Sequence, residues 1–551
     1  MKRLLLIFWA FCCIVVYGQE TVNLTGLWEF SVGDSLNYKE YVELPGPHQT
    51  QGGETWYRKS VYVPQSWKEQ RVFLFLEYPH HETTVFVNGE KILYQTSLLT
   101  PHKCDVTRWL QPGQRNTIVI CVNGSGIAGR MELQARPQWC YIKDVRLKPL
   151  LEDGTLDVSM EIGAWDSNQI YNNYLDVILA PDAPDVPNTP IISRYFYVTG
   201  EKLHFTVPLG KEVLLWDVFH PQLYQIGFVF EDDYYETSFG MREVKLEGQQ
   251  LTINDRPIWL RGTVEDSHFT ETHYPPMTIE GWERIFKKYQ DYGLNCVCFR
   301  SYCPPEAAFV VADKLGFYLQ VEVPSQSGQD NDQSLIEESK RIIDTFGHHP
   351  SFIMMSVNSE YAGEWEETMK KYDNTKIYNL RIPTIATGDS VNYKQAIEEN
   401  LRTKDCGGFM VSSFRDVSKR MTASDWMEFC SPVVALAKFP KTEYSNKDTL
   451  VVPVEICNAM YGNLLKVRNS YYLADADQQV LWGGLLSGGD IPVGKNIDIG
   501  TITFPLNTIK KPTKLTLTVA IAGKLKNHWD FWVHPEEDTQ TADDEEVPKT
   551  N

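Results

Sequence analysis

His349-Pro350-Ser351-Phe352-Ile353-Met354-Met355-Ser356-Val357-Asn358-Ser359-Glu360 is the stretch around which the rest of the chain is read. Its core, Phe352–Val357, is apolar and β-prone, follows a proline, and ends on polar residues and a carboxylate. A parallel strand covered on both faces has this form. In a β/α barrel the C-terminal ends of such strands make the rim where chemistry is done. Glu360 is therefore the candidate general acid/base; a solvated glutamate at a strand end is the alternative.

Helices and strands alternate around this run. A helix with an acidic start spans 279 to 292, and a strand follows at 295 to 299. The next helix, 305 to 315, opens on Pro305 and stops at Gly316, the usual order of start and stop signals. A strand at 317 to 323 and a helix at 334 to 346 lead back to His349. Such alternation means parallel β/α architecture.

On either side the pattern is β alone. Residues 19 to 150 hold short alternating runs at 56 to 63, 72 to 77, 84 to 87 and 117 to 122, with an Asn88-Gly89 turn. Period-two alternation with such a turn predicts an all-β sandwich or jelly roll. A second β segment, 151 to 245, has the size of an immunoglobulin-like sandwich. From 431 to 535 the β pattern returns, with strands near 449 to 456, 470 to 474 and 514 to 519.

Composition bounds the class. At 551 residues the chain needs more than one core. Lys2 and Arg3, an apolar core from 4 to 16 and Tyr17-Gly18 predict a cleaved signal peptide over 1–18, hence a periplasmic or secreted protein. No later run reaches the ~20 apolar residues of a membrane helix. The net charge of −20 argues against nucleic acid or an anionic membrane as partner. Part of that charge lies in an acidic tail, 536–551, which is expected to be disordered. Beyond Cys12 and Cys13, the cysteines at 104, 121, 140, 296, 298, 303, 406, 430 and 457 are odd in number and form no small-domain disulfide framework. Cys296-x-Cys298 has no paired His or second Cys-x-x-Cys beside it, so neither zinc nor any other metal or cofactor is expected.

With these segments laid out, the chain resembles glycoside hydrolase family 2, the β-galactosidase and β-glucuronidase group. Trp216-Asp217, His220-Pro221, Gly240-Met241-Arg242-Glu243-Val244, Asn254-Asp255-Arg256-Pro257-Ile258-Trp259-Leu260-Arg261-Gly262, Tyr302-Cys303-Pro304-Pro305-Glu306 and His349-Pro350-Ser351 carry the resemblance, in order. It implies a jelly-roll sugar-binding domain (19–150), an immunoglobulin-like sandwich (151–245), a TIM-type β/α barrel (246–430) and a C-terminal immunoglobulin-like sandwich (431–535). It implies retaining hydrolysis of β-linked glycosides by paired carboxyls ~5–5.5 Å apart. Glu360 matches the acid/base, and Glu265 matches a position near the sugar. Arg300, Tyr302, Asn358 and Glu322 are the further candidates for contact with an oligosaccharide or glycoside. Aromatics of the first domain either pack in its core or stack on sugar rings.

Three positions depart from the family. Ser359 stands where the family has Asn before the acid/base, with Asn358 one place earlier. Cys298 stands where it has Arg. No segment matches the strand that bears the nucleophile, and six barrel strands are placed, near 258, 295, 317, 352, 382 and 407. Glu322 and Asp416 lie near expected strand ends; Glu398 and Glu399 lie on a helical pattern. A working β-glycosidase and a catalytically impaired carbohydrate-binding protein both remain open. An incomplete barrel also predicts self-association through open strand edges, or a covering segment from 373 to 392.

Overall fold

The computed structural model describes residues 20–33, 37–38, 40–47, 53–79, 82–97, 99–123, 126–164, 170, 173–182, 191–210, 212–248, 250–266, 269, 274–324, 332–359, 361–386, 388, 392–403 and 407–536. The signal sequence, Glu360, Cys406 and all but the first residue of the acidic tail lie outside them. The chain divides into two compact units. One runs to Arg256 and adds Leu260–Thr384 and Met410–Phe414; the other holds Pro257–Trp259, Ile385–Phe409 and the chain from Arg415 on.

The first unit begins with two antiparallel sheets. A six-stranded sheet runs in the order Glu40–Leu44, Gly26–Val32, Glu54–Tyr62, Arg115–Asn123, Thr83–Val87, Glu90–Gln95. A four-stranded sheet, Thr21–Asn23, Met131–Pro137, Gln70–Leu76, His102–Asp105, faces it. Alternation puts Trp28, Tyr57, Val85, Ile118 and Ile120 of one sheet into a common core with Leu74 and Leu133 of the other. The expected hairpin turn is present, with Asn88 at φ 51° and Gly89 at φ 92°, the left-handed pair a tight two-residue turn requires.

His102, on the four-stranded sheet, is 1% exposed, and its Nε2–H donates to the Ser97 carbonyl at 2.8 Å. Burial pulls its pKa down to about 4, and the bond to Ser97, which favours the charged form, only partly opposes this. A group with a depressed cationic pKa gives stability that is whole above its unfolded value of ~6.5 and is lost as pH falls towards the folded value. Urea unfolding of the protein is expected to show a loss of about 3 kcal/mol between pH 6.5 and 4 from this residue. The difference should vanish in His102→Asn. An identical pH slope in both proteins contradicts the assignment.

A second pair of sheets follows. One orders Cys140–Leu150, Thr155–Ala164, Lys202–Pro208; the other orders Ile192–Val198, Asn173–Pro181, Tyr224–Phe230, Asp233–Phe239. Leu156, Val158, Val177 and Phe228 lie in the core between them. The expected boundary at 150 therefore moves. Cys140–Leu150 pairs with Thr155–Ala164 and belongs to the second sandwich. A bulge between Ile142 and Asp144 breaks the period-two pattern that would have shown it.

The parallel sheet has the order Ile377–Tyr378, Phe352–Val357, Tyr318–Val323, Cys296–Arg300, Leu260–Asp266, Gly408–Val411, Thr384–Ile385. Phe352–Val357 is buried at every position. The helices Ile279–Asp291, Glu306–Leu315 and Asp332–Phe346 alternate with its strands. Gly316 ends the second of these at φ 76°, as a left-handed helix stop should. Two expectations are corrected. The first strand is Leu260–Asp266, not a run at 258; Arg256–Pro257 joins a separate three-stranded sheet. The strand expected near 382 is two short pieces, 377–378 and 384–385, which take the two outer positions of the sheet. Two residues of the 373 to 392 segment thus pair at each end of the sheet, Ile377 and Tyr378 with Met354 and Met355 at one of them.

In the second unit, a three-stranded sheet (Val433–Ala437, Thr449–Asn458, Asn496–Pro505) packs with a five-stranded one that carries Thr513–Ile521 and Leu525–His534. Asp416, expected near a strand end, sits in the first turn of the helix Phe414–Arg420. Glu398, on the helix Tyr393–Arg402, is 4% exposed. Its carboxylate accepts from Asn527 Nδ2 at 2.9 Å, Trp529 Nε1 at 3.0 Å and Arg402 at 3.4 Å, so its place is that of a bonded internal anchor.

Candidate active site

The parallel register sorts the rim residues into two faces. Glu265 pairs with Phe299, and Asp266 with Arg300; Phe299 pairs with Val321, and Glu322 with Ser356. Successive side chains on a strand point to opposite faces. Phe299 meets Trp282 of the helix Ile279–Asp291 with ring centres 5.7 Å apart. Glu265 accepts from Tyr289 Oη of the same helix at 2.6 Å. That face is turned to the helices. Cys298, Arg300, Gln320, Glu322 and Ser356 occupy the other face, the interior of the sheet.

The interior face is polar near its C-terminal end. Gln320 donates to Ser356 Oγ at 3.0 Å, and both are buried. Arg300 is exposed at its strand end. Ser301 follows at φ 59° and donates to Glu322 Oε1 at 3.4 Å. A left-handed serine there bends the chain at the rim, where backbone strain tends to gather in functional sites. The Cys298 thiol is pushed up to about 12 by burial first, with the Glu322 carboxylate adding and Arg300 opposing. It is a neutral group, whereas the residue of the family at this position is a cation.

Asn358 is exposed beyond the strand end, and Ser359 Oγ accepts from the Tyr361 amide at 3.2 Å. Tyr302 is 3% exposed, packed edge-on against Phe299 and Phe269. Its hydroxyl has no hydrogen-bond partner among the described residues. Burial raises its pKa strongly, and Glu265 adds to the rise. The site residues thus fall into two groups. Arg300 and Glu322 share the interior rim with Cys298 between them, while Glu265 and Tyr302 lie on the helix side. Glu360 lies outside the described residues.

Contacts without any signal in the sequence join the first domain to this rim. Arg130 Nε bonds Glu77 at 2.9 Å, and its NH2 bonds Glu306, four residues after Tyr302, at 3.0 Å. Glu338, on the helix Asp332–Phe346, accepts from Ser97 Oγ and from the Leu99 amide. No local pattern announces such pairs, since the partners lie more than 170 residues apart for Arg130–Glu306. Gln320 did carry a signal: it and Glu322 are polar residues in the strand Tyr318–Val323, and Gln320 is buried there.

The profile of the family described as glycosyl hydrolases family 2, sugar binding domain, matches residues 18–146. A β-galactosidase of Photobacterium profundum is 23% identical over 350 residues, and a β-glucuronidase of Paenibacillus borealis 22% identical over 440. The chain is glycoside hydrolase family 2-like. This family 2-like chain covers 33% of the Photobacterium protein and 69% of the Paenibacillus one, while the matches cover 56% and 64% of its own length. Two solved structures share its fold. A β-D-mannosidase of Dictyoglomus thermophilum has a TM-score of 0.72 at 13% identity, covering 93% of this chain and 89% of that one. A β-glucuronidase of Bacteroides uniformis has a TM-score of 0.64 at 16% identity, covering 94% and 80%. At such identities the likeness is one of fold. Residues 448–535 of the family 2-like chain match a domain of unknown function (DUF8488).

Proposed function

We propose that this protein hydrolyses β-linked glycosides at the C-terminal rim of its parallel sheet, with Glu360 as general acid/base. The observation that carries the reading is the array of polar side chains on the inner face, Arg300, Gln320, Glu322 and Ser356, at the end of strands that are otherwise apolar. Glu360 gives its proton to the leaving oxygen and takes one back from the water that bonds to the anomeric carbon in its place, and Asn358 beside it bonds a sugar hydroxyl. Glu322 and Arg300 hold the ring from the neighbouring strand ends. Glu265, bonded to Tyr289, and the buried Tyr302 back the strand ends from the helix side. The sheet is an incomplete TIM-type barrel, the two sandwiches beside it are a jelly roll and an immunoglobulin-like domain, and the last domain is a second immunoglobulin-like sandwich. The N-terminal 18 residues act as a cleaved export signal, and the enzyme works in the periplasm or outside the cell.

The test is a turnover screen of the full chain against aryl β-galactoside, β-glucuronide, β-mannoside and β-glucoside. At least one is expected to turn over at ~1–1,000 per second, the range usual for enzymes. If none does while a sugar still binds, the hydrolytic reading fails and a binding role stands in its place.

A further inference from the structure

The five-stranded sheet of the second unit runs in the order Glu443–Ser445, Leu525–His534, Thr513–Ile521, Leu464–Asp475, Val480–Ile491. Val480–Ile491 is therefore an edge, hydrogen-bonded among the described residues to Leu464–Asp475 alone. Edge strands defend their open backbone groups by shortness, charge, proline or bulges. This one is 12 residues long. From Val480 to Gly489 it holds neither a charged residue nor a proline. Its register breaks fall near its ends, while Trp482–Leu486 faces Leu473–Asn469 without interruption. The run also carries Gly483, Gly484, Gly488 and Gly489, and glycine inside a strand marks a place where another backbone comes close.

The side chains of this edge are apolar. Val480, Leu481 and Trp482 are exposed, Leu485 is 83% exposed, and Leu465 on the neighbouring strand is 68% exposed. Leu485 lies opposite Ser470, on the face turned away from the core that holds Leu473, Leu517 and Phe531. Trp482 is held in place by the Tyr471 hydroxyl, which accepts its indole N–H at 3.1 Å, and by Phe504, with ring centres 5.4 Å apart. Charge is split between the two ends. Lys466, Arg468 and Lys495 stand at one end with Asp490 and Asp498; Asp475 and Asp477 stand at the other, where a turn joins the two strands. Asp490 and Asp498 accept from the amides of Lys466 at 2.8 Å and Gly500 at 2.7 Å. Lys466 and Arg468 have no carboxylate within ion-pair distance among the described residues. Lys510, Lys511 and Lys514 belong to the strand Thr513–Ile521 and its approach, two places in from the edge, and Lys514 bonds Asp530 at 2.8 Å.

We infer that Val480–Ile491 is the surface by which two copies of this chain join, pairing antiparallel about a twofold axis near Leu485 so that the two sheets become one. Backbone groups of the uncharged run bond across the axis, and Leu485 packs on its own counterpart. The twofold sets the basic end of each copy against the acidic turn of the other, with Lys466 facing Asp477. A parallel pairing would set like charges together. Two chains of net charge −20 repel one another, and this uncharged run is where they approach at least cost. The strand, its turn and the exposed residues beside it make up roughly 20 residues per copy, the count of a standard interface of about 800 Å² per partner. The pairing is independent of what the rim of the parallel sheet does.

Sedimentation velocity of the full-length protein over a range of concentrations tests it. A species of twice the chain's mass is expected at or above micromolar concentration, since interfaces of this size bind at micromolar strength or tighter. Leu485→Lys puts a charge at the axis without touching the core and should weaken association by about a hundredfold or more. Lys466→Glu and Asp477→Lys should each weaken it by about tenfold. The two together should restore most of it, because each reversed end then meets the reversed end of the other copy. Lys287→Glu, the same charge change on a helix of the first unit, should leave association as in the parent protein. Below micromolar concentration, where the parent is also single, Leu485→Lys should melt at the parent's temperature. The inference is overturned if the parent stays a single chain at every concentration, if assembly runs past two copies, if Leu485→Lys associates as the parent does, or if the double charge variant is weaker than either single one.

Discussion

Glu360→Gln is expected to lower turnover of an alkyl β-glycoside by about 100- to 10,000-fold, the usual worth of a positioned general acid. The same change should cost far less on a dinitrophenyl β-glycoside, because that leaving group departs without a proton. The contrast between the two substrates is the diagnostic, since a misfolded or merely weakened protein loses both together. Glutamine keeps the size and the hydrogen-bonding reach of the side chain, so substrate affinity should stay within a few-fold. Equal losses on both substrates would contradict the acid role and leave Glu360 as a positioning or structural group. Neighbouring Asn358 and Ser359 give the experiment a second use. If Asn358 does the work of the family's asparagine from one place earlier, Asn358→Ala should raise KM while sparing the leaving-group contrast.

Much of this architecture is legible in the residues, for physical reasons that can be named. Phe352–Val357 is buried on both faces, so its apolar run is continuous and visible. Glu306–Leu315 is bracketed by Pro305 and Gly316, whose backbone preferences are local and need no tertiary context. Asn88 and Gly89 sit at φ 51° and 92°, the left-handed pair that the Asn-Gly dipeptide announces. What escaped was non-local. Pieces of two residues, such as Ile377–Tyr378 and Thr384–Ile385, have no period to detect. Cys140–Leu150 hides its alternation behind a bulge and four charged residues. On the first domain, alternation separates Trp56 and Arg58 from Tyr57 and Val61, but only the partner sheet decides which set faces the core. The rim shows the same limit. Residue spacing puts Arg300 and Glu322 near strand ends, whereas the assignment of Glu265 to the helix side depends on Tyr289, which packs there through a different element.

Arg242→Ala is expected to destabilise the protein by about 3–5 kcal/mol, far more than the loss of an exposed ion pair. Arg242 is 6% exposed, and its guanidinium donates to the carbonyls of Pro350 at 3.0 Å, Phe352 at 2.9 Å and Thr375 at 2.5 Å. Burial draws its pKa down to about 10, yet it stays protonated at neutral pH, with Asp373 and Asp313 the leading opposing charges. Pro350 and Phe352 open the strand that ends before Asn358, and Thr375 precedes the outer piece Ile377–Tyr378. One side chain therefore fastens the entry of the central strand to the segment that covers its edge. Truncation leaves three buried carbonyls without these donors, and each unsatisfied buried group costs about 1–3 kcal/mol. Lysine keeps the charge but cannot reproduce the planar fork, so Arg242→Lys should recover only part of the loss. Lys287→Ala is the matched control, since its exposed pair with Glu283 at 3.0 Å should contribute no more than about 0.5 kcal/mol. Urea midpoints of the three variants decide the matter. If Arg242→Ala falls no further than Lys287→Ala, the carbonyls find other partners, and the strand carrying the rim residues is held by its apolar packing alone.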